Sequence, residues 1–542
     1  MNNAIYNFPQ PQNEPVLDYK KDSPERMLLN AELKRQMQEA IEIPLIIGGK
    51  EIRTNETGLV RMPHKHAHVL ATYYKASEKE ADMAIEAALN AHKIWADLSW
   101  TVRASILLKA AGLITGKYRY ILNAATMLGQ SKNIYQSEID VVCEATDFLK
   151  YNAYFASRIY EMQPRSAFNQ LNKMEFRPLE GFVFTVSPFN FSSIASNLNM
   201  APVMMGNTTV WKPATTSLLS NYYLMKIFQE AGLPDGVINF VPGSGALIGK
   251  RVLQSEDLAG IHFTGSNQTF NSLWKEVGSQ LSHYKSYPRL IGETGGKNFI
   301  FVHPSASPLE VAVNAFRGAF EFQGQKCSAA SRMYVPVSLW PSVKTEMLKM
   351  CADASMGDVM DPMNFINAVI DENSFDNIME YIHFAKSSKE AEIIAGGKGD
   401  KTTGYFVEPT IIVTTNPKFR TMEEEIFGPV LTVYVYEDDK LQETVGLCNT
   451  TSPYGLTGAV FARDRIVASV LCEQLQYAAG NFYINDKPTG AIVGLQPFGG
   501  SRASGTNDKA GGEFNLIRWI SPRTIKETFV PATDYRYPYM ID

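Results

Sequence analysis

The chain has 542 residues, of which 45% are hydrophobic and 20% charged, an ordinary composition for a soluble globular protein. That length exceeds what one compact core supports and predicts two or three domains. A net charge of −5 gives no basic footprint for nucleic acid or for an anionic membrane surface, so neither is expected as a partner.

The five cysteines, Cys143, Cys327, Cys351, Cys448 and Cys472, are odd in number, widely spaced and never at CxxC spacing. They predict neither a zinc ribbon nor a disulfide framework, and they fit a reducing compartment. His64, His66 and His68 alternate without an acidic or cysteine partner close in sequence. They read as a polar loop or strand edge, and no metal is expected.

Residues 1–39 carry several Pro, Gln and Asn and predict an arm lying on the surface. The opening stretch has neither the features of a secretory signal nor those of an Arg-rich transit peptide. This predicts a cytoplasmic enzyme, or a mature mitochondrial-matrix chain already stripped of its address. IPLIIGGKEI reads as a hairpin around Gly48-Gly49. From Ser77 to Trp100 a helix is predicted, with Ser77 and Glu80 as its capping box and Ala84, Ala87, Ala88 and Ala91 at helical spacing. Residues 102–163 read as further amphipathic helix, in which Glu138 is a solvated carboxylate on general grounds. The apolar stretch from Phe182 to Met205 is interrupted by Ser, Asn and Pro and is not a membrane span.

The rhythm then changes. Short β-rich runs occur at 181–186, 208–213, 236–243 and 260–266, separated by helix-length segments such as 216–232, which ends in the AGLP stop. More runs follow at 297–302, 332–335, 430–435 and 457–461. Strand–helix alternation at this spacing predicts βαβ units and two consecutive α/β sheets, divided near residue 291.

Ligands of open α/β sheets sit beyond the carboxyl ends of the strands. Ser187 to Asn190, Lys212 and Gly265-Ser266 all fall just past such ends. An ammonium beside exposed backbone N–H groups suits a phosphate or a ribose. GxGxxG and Walker A are both missing from these turns, so the pattern alone leaves nucleotide binding open. Glu293, between an apolar run and a Gly-Gly turn, reads either as an exposed turn residue or as a carboxylate facing a cavity. Cys327 follows Gly324 and Lys326 in a stretch that resembles a helix start. Beside a helix N-terminus and a cation its thiol pKa would fall and make it a nucleophile; by ordinary burial tendency it would be a packing residue. Glu423 to Glu425 precede a Gly-Pro turn and read as a solvated face, since no His or Asp stands at metal-ligand spacing.

Taken together these segments resemble the aldehyde dehydrogenase superfamily from about residue 40 to 540. SPFNF (187–191), VWKP (210–213), FTGS (263–266), ETGGKN (293–298), GQKCS (324–328), EEIFGPV (424–430) and QPFGGSRASGTNDKAGG (496–512) occur in the family's order. PFNF, the FTGSNQTF turn with Phe270 in place of a glycine, and the ending RWISPRTIKET are most similar to the branch that oxidises L-glutamate γ-semialdehyde. That resemblance implies NAD as cofactor, glutamate as product and a role in proline catabolism.

The resemblance also implies residue roles. Cys327 is the nucleophile, Asn190 and the Cys327 backbone N–H form the oxyanion hole, and Glu293 is the general base for thioester hydrolysis. Lys212 and Glu425 hold the two riboses of NAD, Phe427 packs near the nicotinamide, and Ser187 with the turn Gly265, Ser266, Asn267, Gln268 and Thr269 completes the cofactor shelf. For substrate, Gly490 and Ala491 offer backbone N–H groups to the α-carboxylate, Ser328 supplies a hydroxyl, Phe191 and Phe498 line the aliphatic chain, and Glu138 faces the substrate. Some members of the branch carry Ser where this chain has Ala491, so one carboxylate hydrogen bond is missing or comes from backbone. Thr215 stands where many members carry an acid that disfavours a 2′-phosphate; the branch as a whole implies NAD.

The implied fold class is α/β and aldehyde-dehydrogenase-like. A Rossmann-type NAD-binding domain takes 40–163 and 181–291, an α/β catalytic domain 292–495, and a β-flap oligomerisation domain 164–180 and 513–540. A flap of this kind makes poor solitary edges, so a homodimer or higher homo-oligomer is expected. The chain is too short to hold a proline dehydrogenase barrel as well, which leaves a separate proline dehydrogenase as a partner. A CoA-acylating dehydrogenase would use Cys327 but would not need Glu293. A non-catalytic protein on the same scaffold would be expected to lack Cys327, Asn190 or Glu293.

Overall fold

The computed structural model describes Tyr6 and residues 8–541. Two seven-stranded sheets organise it. The first runs in the spatial order Arg289–Glu293, Leu258–Thr264, Phe182–Val186, Thr209–Lys212, Ile238–Phe240, Leu45–Ile47 and Lys50–Ile52. Its strands are parallel from Arg289–Glu293 to Ile238–Phe240. The expected hairpin at Gly48-Gly49 supplies the two antiparallel strands at the edge. The second sheet runs Ala391–Ala395, Thr410–Thr414, Val430–Tyr436, Ala330–Pro336, Asn298–Val302, Thr457–Phe461 and Asn481–Ile484, antiparallel only at its first pair. Leu258–Thr264, Asn298–Val302 and Thr457–Phe461 are buried at every position, which explains why their sequences read as continuous apolar runs.

In the first sheet the chain moves outward from Phe182–Val186 to Thr209–Lys212 and Ile238–Phe240, then returns to its other side with Leu258–Thr264. This reversal is a topological switch point, and it opens a crevice beyond Val186 and Thr264. The segments Ser187 to Phe191 and Gly265 to Thr269 both start there.

The helix Glu78–Asp97 has the expected cap: Ser77 and Glu80 form a capping box, and Ala84, Ala88 and Ala91 are buried against the sheet. The helical region that follows is less regular than its periodicity predicts. Ser131 is left-handed (φ 56°), and Glu138–Glu144 is a π-helical segment leading into the helix Ala145–Tyr160. The expected surface arm needs correcting. It contains a helix, Pro24–Gln38, capped by Ser23, and it buries Tyr19, Leu29 and Leu33 in the largest hydrophobic core. Strands Gln170–Pro178 and Ile520–Thr528 pair antiparallel into a two-stranded ribbon. Among the described residues no helix is long and apolar enough to cross a membrane, and no group of His, Cys, Asp and Glu is placed to hold a metal.

Candidate active site

The nucleophile turn is built from an unusual backbone. Phe322 (φ 52°), Gln323 (φ 54°) and Gly324 (φ 66°) are consecutive left-handed residues, a conformation costing about 1–3 kcal/mol at each non-glycine position. Buried Gln323 offsets part of that cost by donating to Ser131 O (3.1 Å) and Ala368 O (2.8 Å). A Cβ on Gly324 would lie 2.2 Å from Gly428 O, so only glycine fits. Cys327 follows in a turn that enters the strand Ala330–Pro336.

Cys327 is therefore not at a helix start, and Lys326 is turned away to Glu321 (3.2 Å). Neither expected source of thiol activation acts here. Burial, reinforced by Glu293, Glu425 and Glu144, instead pushes the Cys327 thiol well above its ordinary range. The thiol needs a base.

Three neighbours fix the turn. Asn298 donates from Nδ2 to Cys327 O (2.7 Å) and Ala329 O (2.9 Å), and its Oδ1 accepts from Thr457 N (3.0 Å). A Cβ on Gly296 would lie 2.5 Å from Cys327 O, so the Gly-Gly turn after Glu293 packs directly on the nucleophile's backbone. Asn190 donates to Gln325 O (3.1 Å), which sets its amide beside the same turn. The loop carrying Asn190 and Phe191 is fixed by Asp140, which accepts from Ser192 N (3.1 Å) and Ser193 N (2.9 Å) at the start of the helix Ser192–Met204. Asp140 is itself paired with Lys132 at 2.6 Å, both side chains fully buried.

Glu293 ends the strand Arg289–Glu293. Burial holds its carboxyl well above the usual carboxylate range; Lys509 and the Gly500 N–H oppose this, and Asp508 adds to it. Among the described residues its buried Oε2 has no hydrogen-bond partner. Lys509 is held opposite by Gly480 O (2.8 Å) and Gly499 O (3.1 Å). A carboxyl group with a raised pKa and a free oxygen, in Coulombic reach of a thiol, suits proton transfer.

The residues expected to hold a cofactor lie along the crevice. Lys212, at the end of Thr209–Lys212, is lowered by burial alone and faces the start of the helix Gly245–Leu253. Ser187 accepts from Trp211 Nε1 (2.9 Å). Gly265 donates to Glu293 O (3.2 Å), which links this turn to the strand end that carries Glu293. Ser266 caps the helix Asn267–Ser279 by accepting from Thr269 N (3.2 Å), Asn267 donates to Ala503 O (2.8 Å), and Gln268 is exposed on the first turn. Glu425 accepts from Gly296 N (2.8 Å), and burial pushes its carboxyl up to about 7. A Cβ on Gly295 would lie 2.1 Å from the Glu425 carboxylate, so any side chain there would displace that carboxylate. Phe427 (φ 58°) meets Phe189 edge-on at 5.8 Å. An uncompensated ammonium, a helix N-terminus and a second carboxylate suit a dinucleotide's phosphates and ribose hydroxyls.

Of the residues expected to meet the substrate, Phe191 meets Phe322 edge-on (6.3 Å), and Lys132 Nζ lies over both rings at 4.1 and 4.5 Å. The Ser328 and Thr489 hydroxyls are hydrogen-bonded (2.7 Å), which ties the segment of Gly490 (φ 97°) and Ala491 to the nucleophile's neighbour. Phe498 is half-buried and pairs with Ala510 through backbone bonds.

The reading of Glu138 as a substrate-facing carboxylate is corrected. Its Oε1 is taken by Arg119 and Leu17 N, and its Oε2 by the Tyr19 hydroxyl (2.7 Å) and Asn123 (2.7 Å). With these donors on it, and the side chain fully buried, it holds the arm rather than a ligand. The carboxylate that acts on Cys327 from this region is Glu144, pushed up to about 8 by burial and by Asp140. Sequence reading missed it because a helical period does not carry through a π-helical segment.

The fold and this constellation place the chain in one class: it belongs to the aldehyde dehydrogenase family, whose sequence pattern matches residues 52–525. Its relatives narrow this further. It is 50% identical over 542 residues to the mitochondrial delta-1-pyrroline-5-carboxylate dehydrogenase of Dictyostelium discoideum, covering 99% of this chain and 97% of that one. Its identity with the human mitochondrial protein of the same name is 48%, covering 97% and 94%. The NAD-bound crystal structure of the Mycobacterium tuberculosis delta-pyrroline-5-carboxylate dehydrogenase superposes with a TM-score of 0.96 at 47% identity, over 100% of each chain.

Proposed function

We propose that the protein oxidises L-glutamate γ-semialdehyde, formed from Δ1-pyrroline-5-carboxylate, to L-glutamate with NAD+, the second step of proline catabolism. The observation that carries this reading is the desolvated Glu293 at the end of its strand beside the switch point, whose Oε2 has no partner among the described residues and whose charge acts on the Cys327 thiol. The naming and NAD-bound form of the relatives support the substrate and the cofactor.

Cys327 gives up its proton to Glu293 and its sulfur attacks the aldehyde carbon. The developing oxyanion is received by the Asn190 amide and the Cys327 N–H, donors typically contributing about 3–4 kcal/mol each at the transition state. Ser187, Lys212, Gly265 to Thr269, Glu425 and Phe427 would hold NAD+, which would supply the hydride acceptor. Once Glu293 has passed the thiol's proton to solvent it removes a proton from the water that attacks the thioester carbon, and the sulfur leaves as the Cys327 thiolate. Gly490 and Ala491 receive the α-carboxylate, Ser328 offers its hydroxyl, and Phe191 and Phe498 enclose the chain. A retained Glu293 argues against transfer of the acyl group to CoA.

The domain assignment belongs to the same proposal: NAD-binding 40–163 and 181–291, catalytic 292–495, and a flap 164–180 with 513–540 that joins homo-oligomers. A separate proline dehydrogenase would deliver the substrate. The enzyme works in the cytoplasm, with the mitochondrial matrix as the alternative its relatives' names support; cell fractionation decides between them. The catalytic reading is tested by rapid mixing with NAD+ and glutamate semialdehyde. Cys327→Ala should form no NADH, and Glu293→Gln, which loses the base for both the thiol and the water, should slow the first turnover as well as the steady rate. Full steady turnover by either variant would overturn the assignment.

A further inference from the structure

We propose that the N-terminal arm, through Asn13, is a positioning element for the segment Thr489 to Gly494 and so for recognition of the substrate's α-carboxylate; this rests on the substrate reading given above. Backbone N–H groups bind a carboxylate well only when the backbone carrying them is held still. This segment has left-handed glycines near both ends, Gly490 (φ 97°) and Gly494 (φ 79°), which leave it little stiffness of its own. One end is tied beside the nucleophile by the Thr489–Ser328 hydroxyl pair. The other end is tied by the arm.

Asn13 uses its whole side-chain amide there. Nδ2 donates to Val493 O (2.8 Å) and to Asp147 Oδ2 (2.8 Å), and Oδ1 accepts from the Tyr151 hydroxyl (3.2 Å). Tyr151 also donates to Pro11 O (3.1 Å), and Glu14 N donates to Asp147 Oδ1 (2.8 Å). The segment rests on Tyr151 so closely that a Cβ on Gly494 would lie 2.2 Å from the ring. Val493, Phe148 and Tyr151 form a small hydrophobic cluster apart from the main cores, so apolar packing alone holds this end lightly. The arm is fixed beyond Asn13. Glu14 is paired with Arg119 (3.2 Å) and Lys150 (3.0 Å), and Tyr19 donates to Glu138 (2.7 Å). Asn13 thus bridges a fixed strap to the Val493 carbonyl, two residues from Ala491.

The test compares Asn13→Asp, which keeps the shape and loses both N–H donors, and Asn13→Ala with wild type, in the full-length protein. NAD+ reduction is measured with glutamate semialdehyde and with propanal, which lacks the α-carboxylate. The proposal predicts that KM for glutamate semialdehyde rises about tenfold or more, as for loss of a charge-assisted hydrogen bond, while kcat holds. It also predicts that kcat/KM for propanal stays within about twofold of wild type. A parallel loss on both substrates would reduce Asn13 to a stability residue and overturn the proposal, as would unchanged KM for glutamate semialdehyde in both variants. If wild type itself shows no preference for glutamate semialdehyde, the substrate reading fails, and this inference fails with it for that separate reason.

Discussion

Gly296→Ala is the sharpest probe of how the nucleophile is held. The backbone at Gly296 is not left-handed, so a methyl group adds no conformational strain. It adds crowding. The new Cβ would lie 2.5 Å from Cys327 O and 2.7 Å from Asn298 Oδ1, against 3.4 Å where ordinary contact begins. The Cys327 carbonyl must therefore retreat by about 1 Å, and a displacement of that size costs about a hundredfold in rate. The overpacking itself costs about 1–3 kcal/mol of stability. Gly112→Ala is the matched control. Gly112 is exposed on the helix Trp100–Thr115, its Cβ would meet nothing within 4 Å, and the change should gain about 0.5–1 kcal/mol. The assay is kcat for NAD+ reduction alongside thermal unfolding. A Gly296→Ala enzyme with wild-type kcat would refute the claim that the Gly-Gly turn sets the position of Cys327.

Glu138→Gln should lower thermal stability by up to about 3–5 kcal/mol, since it leaves Glu14 as the one counter-charge the buried Arg119 keeps among the described residues, yet leave KM for glutamate semialdehyde within about twofold, because a glutamine oxygen still accepts from Tyr19; a selective KM rise would restore Glu138 to the substrate site. Lys132→Met should be at least as damaging, because it strands Asp140 and loosens the loop of Asn190; soluble yield and kcat report it. His262 and His64 are held neutral by burial, with folded pKa values lowered to about 3 and about 4. A histidine lowered on folding stabilises fully above its unfolded value of about 6.5 and loses that stability as pH falls. Denaturation midpoints should therefore drop between pH 7 and pH 5, by up to about 1.4 kcal/mol per pH unit for each histidine, and His262→Gln should flatten the slope.

Much of the fold is legible in the sequence because its strands are buried on both faces. Leu258–Thr264 and Thr457–Phe461 read as continuous apolar runs for the same reason that they are central in parallel sheets. The cap of Glu78–Asp97 is legible from Ser77 and Glu80 because capping is local chemistry. The misreadings are long-range. Cys327 looks like a helix start, but the left-handed run Phe322 to Gly324 turns the chain into a strand, and that run depends on contacts with Ser131, Ala368 and Gly428. Glu138 looks solvated because Arg119, Tyr19 and Asn123 lie 15 or more residues away. The buried lining of the arm is hidden by its polar composition, since Tyr19, Leu29 and Leu33, with Phe8, Leu17 and Met37 packed against the same core, are scattered among polar residues. The structure brings Cys327, Glu293, Asn190 and Glu425 to one turn because Gly295, Gly296 and Asn298 are small or polar where those groups converge.

The central claim is NAD-dependent oxidation of L-glutamate γ-semialdehyde, and steady-state NADH formation with a panel of aldehydes tests it most directly. Glutamate semialdehyde, acetaldehyde and succinate semialdehyde are compared at saturating NAD+. The account predicts the highest kcat/KM for glutamate semialdehyde. Equal or better turnover of either other aldehyde would contradict the substrate assignment, and absence of NADH with all three would contradict the catalytic one.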